Sequence, residues 1–122
     1  MKRCFTNILT EEVAATATFY VQLLDMEPQF SSDWFVNLVD PDNRGLELGI
    51  LKQSHDIVPH EARQAPAGVM LTFVVDDCDV IHQRAIDADA DIVETPNDMP
   101  YGQRRMILRD PAGTLVDISS PV

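Results

Sequence analysis

The sequence predicts an α+β protein made of two pseudo-symmetric halves, and three observations predict it. Asp40-Pro41-Asp42-Asn43-Arg44-Gly45-Leu46-Glu47-Leu48 returns seventy residues later as Asp110-Pro111-Ala112-Gly113-Thr114-Leu115-Val116-Asp117-Ile118, with an acid at the same offset. Each half opens with a short apolar strand, Phe5 to Leu9 and Val69 to Val75, followed by an acidic helix start, Glu11-Glu12 and Asp76-Asp77. Each helix is followed by a proline, Pro28 and Pro96, and then by a strand before the Asp-Pro turn, Trp34 to Val39 and Arg104 to Arg109. The unit reads strand, helix, strand, strand, with room for one more. It occurs only twice, which makes a duplicated domain and not a solenoid.

Taking the elements in order, residues 11–24 form an amphipathic helix, with Val13, Ala17, Tyr20 and Leu24 at helical spacing. Thr10 is its expected N-cap, Glu11 and Glu12 suit the positive end of the dipole, and Asp25 ends it in a left-handed turn. Residues 78–88 form the matching helix, with Cys78, Ile81, Ala85 and Ala88 as its apolar stripe and His82 on its exposed side. Asp87, Asp89 and Asp91 face water near its end. After each Asp-Pro turn the strands alternate: Leu46, Leu48 and Ile50 oppose Glu47 and Gly49, while Val116 and Ile118 oppose Leu115, Asp117 and Ser119. Period two sends the apolar set toward the helices and both acids to the other face. If the sheet is curved, that face is a cavity. Module one is expected at residues 1–52 and module two at 68–122, joined by a surface crossover, 53–67.

Bulk properties narrow the function. A chain of 122 residues fits a single domain with a modest core. No apolar run reaches the ~20 residues of a membrane span, and Met1-Lys2-Arg3-Cys4 leads into no apolar signal core, so a cytoplasmic protein is expected. The net charge of −11 argues against nucleic acid and anionic membrane surfaces. Cys4 and Cys78 fit no metal or redox spacing and read as reduced, packed thiols. His55 and His60 in the crossover, near Asp56 and Glu61, match no metal-ligand motif.

Phe19-Tyr20-Val21-Gln22-Leu23-Leu24-Asp25-Met26-Glu27-Pro28, together with Leu108-Arg109-Asp110-Pro111-Ala112-Gly113 and Val116-Asp117-Ile118, resembles the signatures of a known group. It is the glyoxalase, bleomycin resistance protein and extradiol dioxygenase group, the vicinal oxygen chelate superfamily. The resemblance covers nearly the whole chain. It implies paired βαβββ modules forming a curved mixed sheet around a ligand cavity, and homodimers. In metal-dependent members four positions supply ligands, which by alignment fall here on Phe5, Glu47, Met70 and Asp117. Phe5 and Met70 stand where the enzymes commonly keep His; Phe has no donor atom, and a thioether is a poor ligand for hard divalent metals. Asp25 replaces the usual Gly of the first signature. No cofactor is therefore expected.

The resemblance thus points to a metal-independent small-molecule binding protein, with a cationic or aromatic ligand. The alternatives are a divalent-metal-dependent lyase, isomerase or dioxygenase with an atypical metal shell, and a regulatory or structural role. Expected cavity residues follow by parity: Asn7 with Phe5, Thr72 with Met70, Asn37 with Phe35, alongside Glu47 and Asp117. Phe5 and Met70 either line the cavity or simply fill space. One of Trp34 and Phe35, and one of Arg104 and Arg105, should join them, and the resemblance implies that Tyr101 stands in a loop whose equivalent in relatives often borders the cavity mouth. Glu47 is the leading candidate, also as a base, and needs a partner: Arg104, Arg105 or a cationic ligand.

Overall fold

The computed structural model describes residues 1–122 and divides into two compact units, Met1–Pro66 and Ala67–Val122. Unit one contains β1 (Thr6–Thr10), α1 (Val13–Leu24), β2 (Glu27–Ser31), β3 (Phe35–Asp40) and β4 (Asn43–Lys52), then a helical turn at His60–Ala62. Unit two contains β5 (Met70–Val74), α2 (Cys78–Asp87), β6 (Asp91–Asp98), β7 (Gln103–Arg109) and β8 (Leu115–Pro121). Each unit is therefore a βαβββ module with its own four-stranded mixed sheet. The orders β1-β4-β3-β2 and β5-β8-β7-β6 match strand for strand, which is the pseudo-symmetry read from the repeat. No helix is long and apolar enough to cross a membrane.

The further strand for which each half had room is β2 in one unit and β6 in the other, and each contains the proline that follows the helix. Both lie at a sheet edge, and in both the pairing slips beside the proline, between Pro28 and Phe30 and between Glu94 and Asn97. Proline lacks an N–H to give to a ladder, so an edge with a bulge is where a strand can hold it.

Helix α1 starts two residues later than the pattern suggests. Its N-cap is Glu12, and Glu11 and Glu12 precede the first turn. Thr10 still serves the helix entry, because its hydroxyl accepts from the Glu12 N–H at 2.9 Å. Asp25 closes the helix with φ 55°, the left-handed turn expected of it. The buried stripe is Val13, Thr16, Ala17, Phe19, Tyr20 and Leu23, so Leu23 and not Leu24 faces the core. Helix α2 is capped by Asp77, whose carboxylate accepts from the Asp79 N–H at 2.9 Å. Its buried residues are Cys78, Ile81 and Ala85, while Ala88, expected on the stripe, is its exposed C-cap. Asp87, Asp89 and Asp91 are exposed. Cys78 is buried as expected, whereas Cys4 is exposed; both are free thiols.

The repeated Asp-Pro motif folds in two ways. In unit two Asp110 carries a five-residue loop: its carboxylate accepts from the Ala112 and Thr114 N–H groups at 3.0 and 2.8 Å, and Gly113 takes φ 94°. The β7–β8 register is then unbroken from Arg109↔Leu115 to Gln103↔Pro121. In unit one the turn is tighter, with Asp40 paired to Asn43, and the register breaks before Val39↔Glu47. Arg44, Gly45 and Leu46 are left without partners on β3. This bulge explains why Leu46 is 54 % exposed, against 5 % for Leu48 and 0 % for Ile50. The alternation read from Leu46 thus begins at Leu48.

Candidate functional site

Glu47 sits on β4 opposite Val39, on the face away from Leu48 and Ile50. Its side chain is only 5 % exposed, so its charge needs partners inside the protein. The partner is Arg3, in the segment ahead of β1, and neither Arg104 nor Arg105. Arg3 Nε donates to one carboxylate oxygen of Glu47 at 2.7 Å and Nη2 to the other at 2.5 Å, a bidentate pair. The same guanidinium lies over the Phe5 ring, 4.7 Å from its centroid. Asn37, 3 % exposed, donates to Glu47 at 3.3 Å and accepts from Gln29 Nε2 at 2.8 Å. Hydrogen bonds from Arg3 hold the Glu47 carboxyl below the usual carboxylate range; burial opposes them, and Asn37 and the Arg3 charge add to them.

Beside this network Asn7 pairs with Gly49, which in turn pairs with Asn37. A Cβ at Gly49 would stand 2.0 Å from Asn7 Oδ1 and 3.1 Å from the Phe35 ring, so glycine lets both side chains lie over the strand. Phe35 is therefore the member of its pair on the Glu47 face, and the Phe30 ring is 6.0 Å from it. Trp34 lies just ahead of β3 and stacks on His55 at 4.0 Å, nearly parallel. That contact occupies one of its ring faces and gives His55 a packing role.

The face opens at its Arg3 end. A pocket of about 400 Å³ is lined by Lys2, Arg3, Cys4, Gln29, Arg44, Gly45 and Glu47. Of these, Glu47 was legible in the sequence. Lys2, Arg3, Gln29 and Arg44 were not: Lys2 and Arg3 lie in a coil with no periodicity, and Arg44 reaches the pocket through a register break that residue alternation does not encode.

In unit two Asp117, 6 % exposed, accepts from Thr72 Oγ1 at 3.1 Å and from Ser119 Oγ at 2.7 Å. Arg105 opposes Ser119 in the ladder and shares Asp117's face, whereas Arg104 opposes Ser120 on the helix face. Arg104 binds Asp79 of α2 and Asp98, each at 3.0 Å. Arg105 binds Glu94 at 3.0 Å. Burial works against the Arg105 charge, but Tyr101, Glu94 and Asp117 outweigh it and raise its pKa. Tyr101, 60 % exposed, lies in the turn between β6 and β7. Met70 is 48 % exposed, so in this unit it does not fill a closed space.

The residues present do not fit the family's metal. Phe5 offers no donor, and both Glu47 oxygens are held by protein donors. Met70 offers a thioether, and each Asp117 oxygen accepts a hydroxyl hydrogen bond, from Thr72 and from Ser119. No group of three or more His, Cys, Asp and Glu side chains gathers in a way that could hold an ion.

With this geometry in view, the comparisons decide the family. The model of the Glyoxalase/Bleomycin resistance protein/Dioxygenase superfamily matches residues 5–118. The chain belongs to that superfamily. Among similar solved structures is a glyoxalase/bleomycin resistance protein/dioxygenase family enzyme from Burkholderia phytofirmans PsJN, 22 % identical, covering 97 % of both chains at TM-score 0.76. A superfamily member from Sphaerobacter thermophilus DSM 20745 is 20 % identical over 98 % of this chain and 97 % of its own, at TM-score 0.78. A lactoylglutathione lyase from Agrobacterium tumefaciens is 17 % identical over 98 % of this chain and 94 % of its own, at TM-score 0.72. At such identities these likenesses show the superfamily fold alone. No functionally curated protein resembles the chain closely enough to count as a match.

Proposed function

We propose that this superfamily member is a metal-independent small-molecule binding protein of the cytoplasm, working as a homodimer. One observation carries the reading: the carboxylate at each family metal position is already neutralised or hydrogen-bonded by donors of its own unit. For Glu47 to ligate a divalent ion it would have to release a bidentate guanidinium, and Phe5 would give nothing in return. A metal-dependent lyase, isomerase or dioxygenase would need that exchange. The ligand site of this reading is the Glu47 face of unit one, with Phe5, Asn7, Phe35 and Asn37 as its walls. Thr72, Arg105, Asp117 and exposed Tyr101 offer corresponding groups in unit two. An aromatic ligand can use the Phe35 and Phe30 rings. A cationic ligand would have to displace Arg3 from Glu47.

The test is a thermal-shift screen of small molecules run with and without a chelator. The reading expects stabilising compounds to act equally in both, and Glu47→Gln to weaken them. Stabilisation that requires added divalent metal would overturn it.

A further inference from the structure

The pocket at the Arg3 end of the first sheet carries a charge opposite to that of the chain. The protein has nine Lys and Arg against twenty Asp and Glu, yet three cations, Lys2, Arg3 and Arg44, line this pocket with one acid, Glu47. That acid is already paired to Arg3. The Arg3 pair uses Nε and Nη2, which leaves the Nη1 donors for another acceptor. Its position is preorganised by the bidentate contact and by the Phe5 ring. Arg44 is brought to the rim by the bulge that separates it from β3, and Gly45 beside it has no side chain to fill the opening. Gln29 adds a further polar side chain.

Resting on the binding-protein reading and deepening it, we infer that this pocket receives a small anion, through a carboxylate or phosphate group held by Lys2, Arg3 and Arg44. The acidity of the whole chain does not forbid this. Exposed charges farther off than about 8 Å are screened at physiological salt, so the nearest cations dominate. A volume of about 400 Å³ lies within the range of small-molecule sites. Glu47 then serves as the anchor that aims Arg3, not as the group that contacts the ligand.

Cys4 supplies an internal reporter, because it lines the same pocket and is exposed, whereas Cys78 is buried. The experiment measures the rate of Cys4 alkylation by iodoacetamide, and the melting temperature, in chelator. Benzoate and inorganic phosphate serve as the carboxylate and phosphate arms, and benzylamine as a cation of benzoate's shape. Benzoate or phosphate should slow alkylation and raise the melting temperature, and whichever arm binds tighter names the group. Arg44→Glu, at an exposed position, should weaken that binding at least tenfold, the loss expected of a charge-assisted hydrogen bond. Lys2→Glu should act in the same direction. Protection by benzylamine and not by the anions would overturn the inference, as would anion binding that Arg44→Glu and Lys2→Glu leave unchanged. If neither anion binds while another compound stabilises the protein in chelator, the inference falls and the binding-protein reading stands. If no compound binds without metal, both fall.

Discussion

At the scale of single residues, the proposed site in unit one is built around one ion pair, Arg3 with Glu47. Removing the Glu47 charge leaves Arg3 without its anchor, and the effect has a definite pH signature. The folded Glu47 pKa is lowered chiefly by the Arg3 hydrogen bonds, so its stabilising contribution is complete above the ordinary carboxylate value of 4.5. It is lost as pH falls through the lower folded value. Melting temperature followed from pH 7 down into the acid range should fall more steeply for the wild type than for Glu47→Gln; parallel curves would remove the pair from the stability of the fold. The thiols give a second expectation. Burial pushes the Cys78 thiol up, the nearby acids add to this, and its Sγ lies 3.4 Å from the Ile118 carbonyl oxygen. Native protein should therefore titrate one thiol per chain with a thiol reagent, and denatured protein two. Gly49 supplies a third. Gly49→Ala forces Asn7 aside and presses on Phe35; overpacking of this kind costs about 1–3 kcal/mol, which chemical denaturation would register.

At the scale of elements, the repeat was legible and its two departures were not. Alternation and helical spacing locate β1, β3, β4 and their counterparts, because period two and period 3.6 leave marks in the residues themselves. Edge strands β2 and β6 carry weak marks: a proline and a bulge interrupt each, so the sequence shows only a gap of the right length. The Asp-Pro turns look alike in sequence and differ in hydrogen bonding. Asp110, 3 % exposed, holds two N–H groups of its loop with one carboxylate oxygen. Asp40 holds the Asp42 N–H in an exposed turn. Asp110→Ala should accordingly cost about 2–3 kcal/mol and Asp40→Ala about 1 kcal/mol in urea unfolding. Equal costs would mean that the two turns are equivalent after all. The difference reaches the site, since the break beside Asp40 is what delivers Arg44 to the pocket.

At the scale of the whole molecule, the superfamily and the duplicated α+β plan were within reach of the sequence. The side chains that answer Glu47 and Asp117 were less so. Thr72 and Ser119 shared Asp117's expected face, but Arg3 and Gln29 gained their roles only through contacts between separate segments of unit one. The proposed homodimer places light scattering at twice the chain mass of 13.6 kDa. A single-chain mass at micromolar concentration would contradict it. The central claim is that Glu47 and Asp117 are turned toward protein donors and hold no metal. The most direct test is elemental analysis of protein incubated with Zn²⁺, Mn²⁺ or Fe²⁺ and then dialysed. The account predicts no stoichiometric metal, with Glu47→Gln and Asp117→Asn indistinguishable from wild type. Retention of one ion per site, lost in either variant, would contradict it.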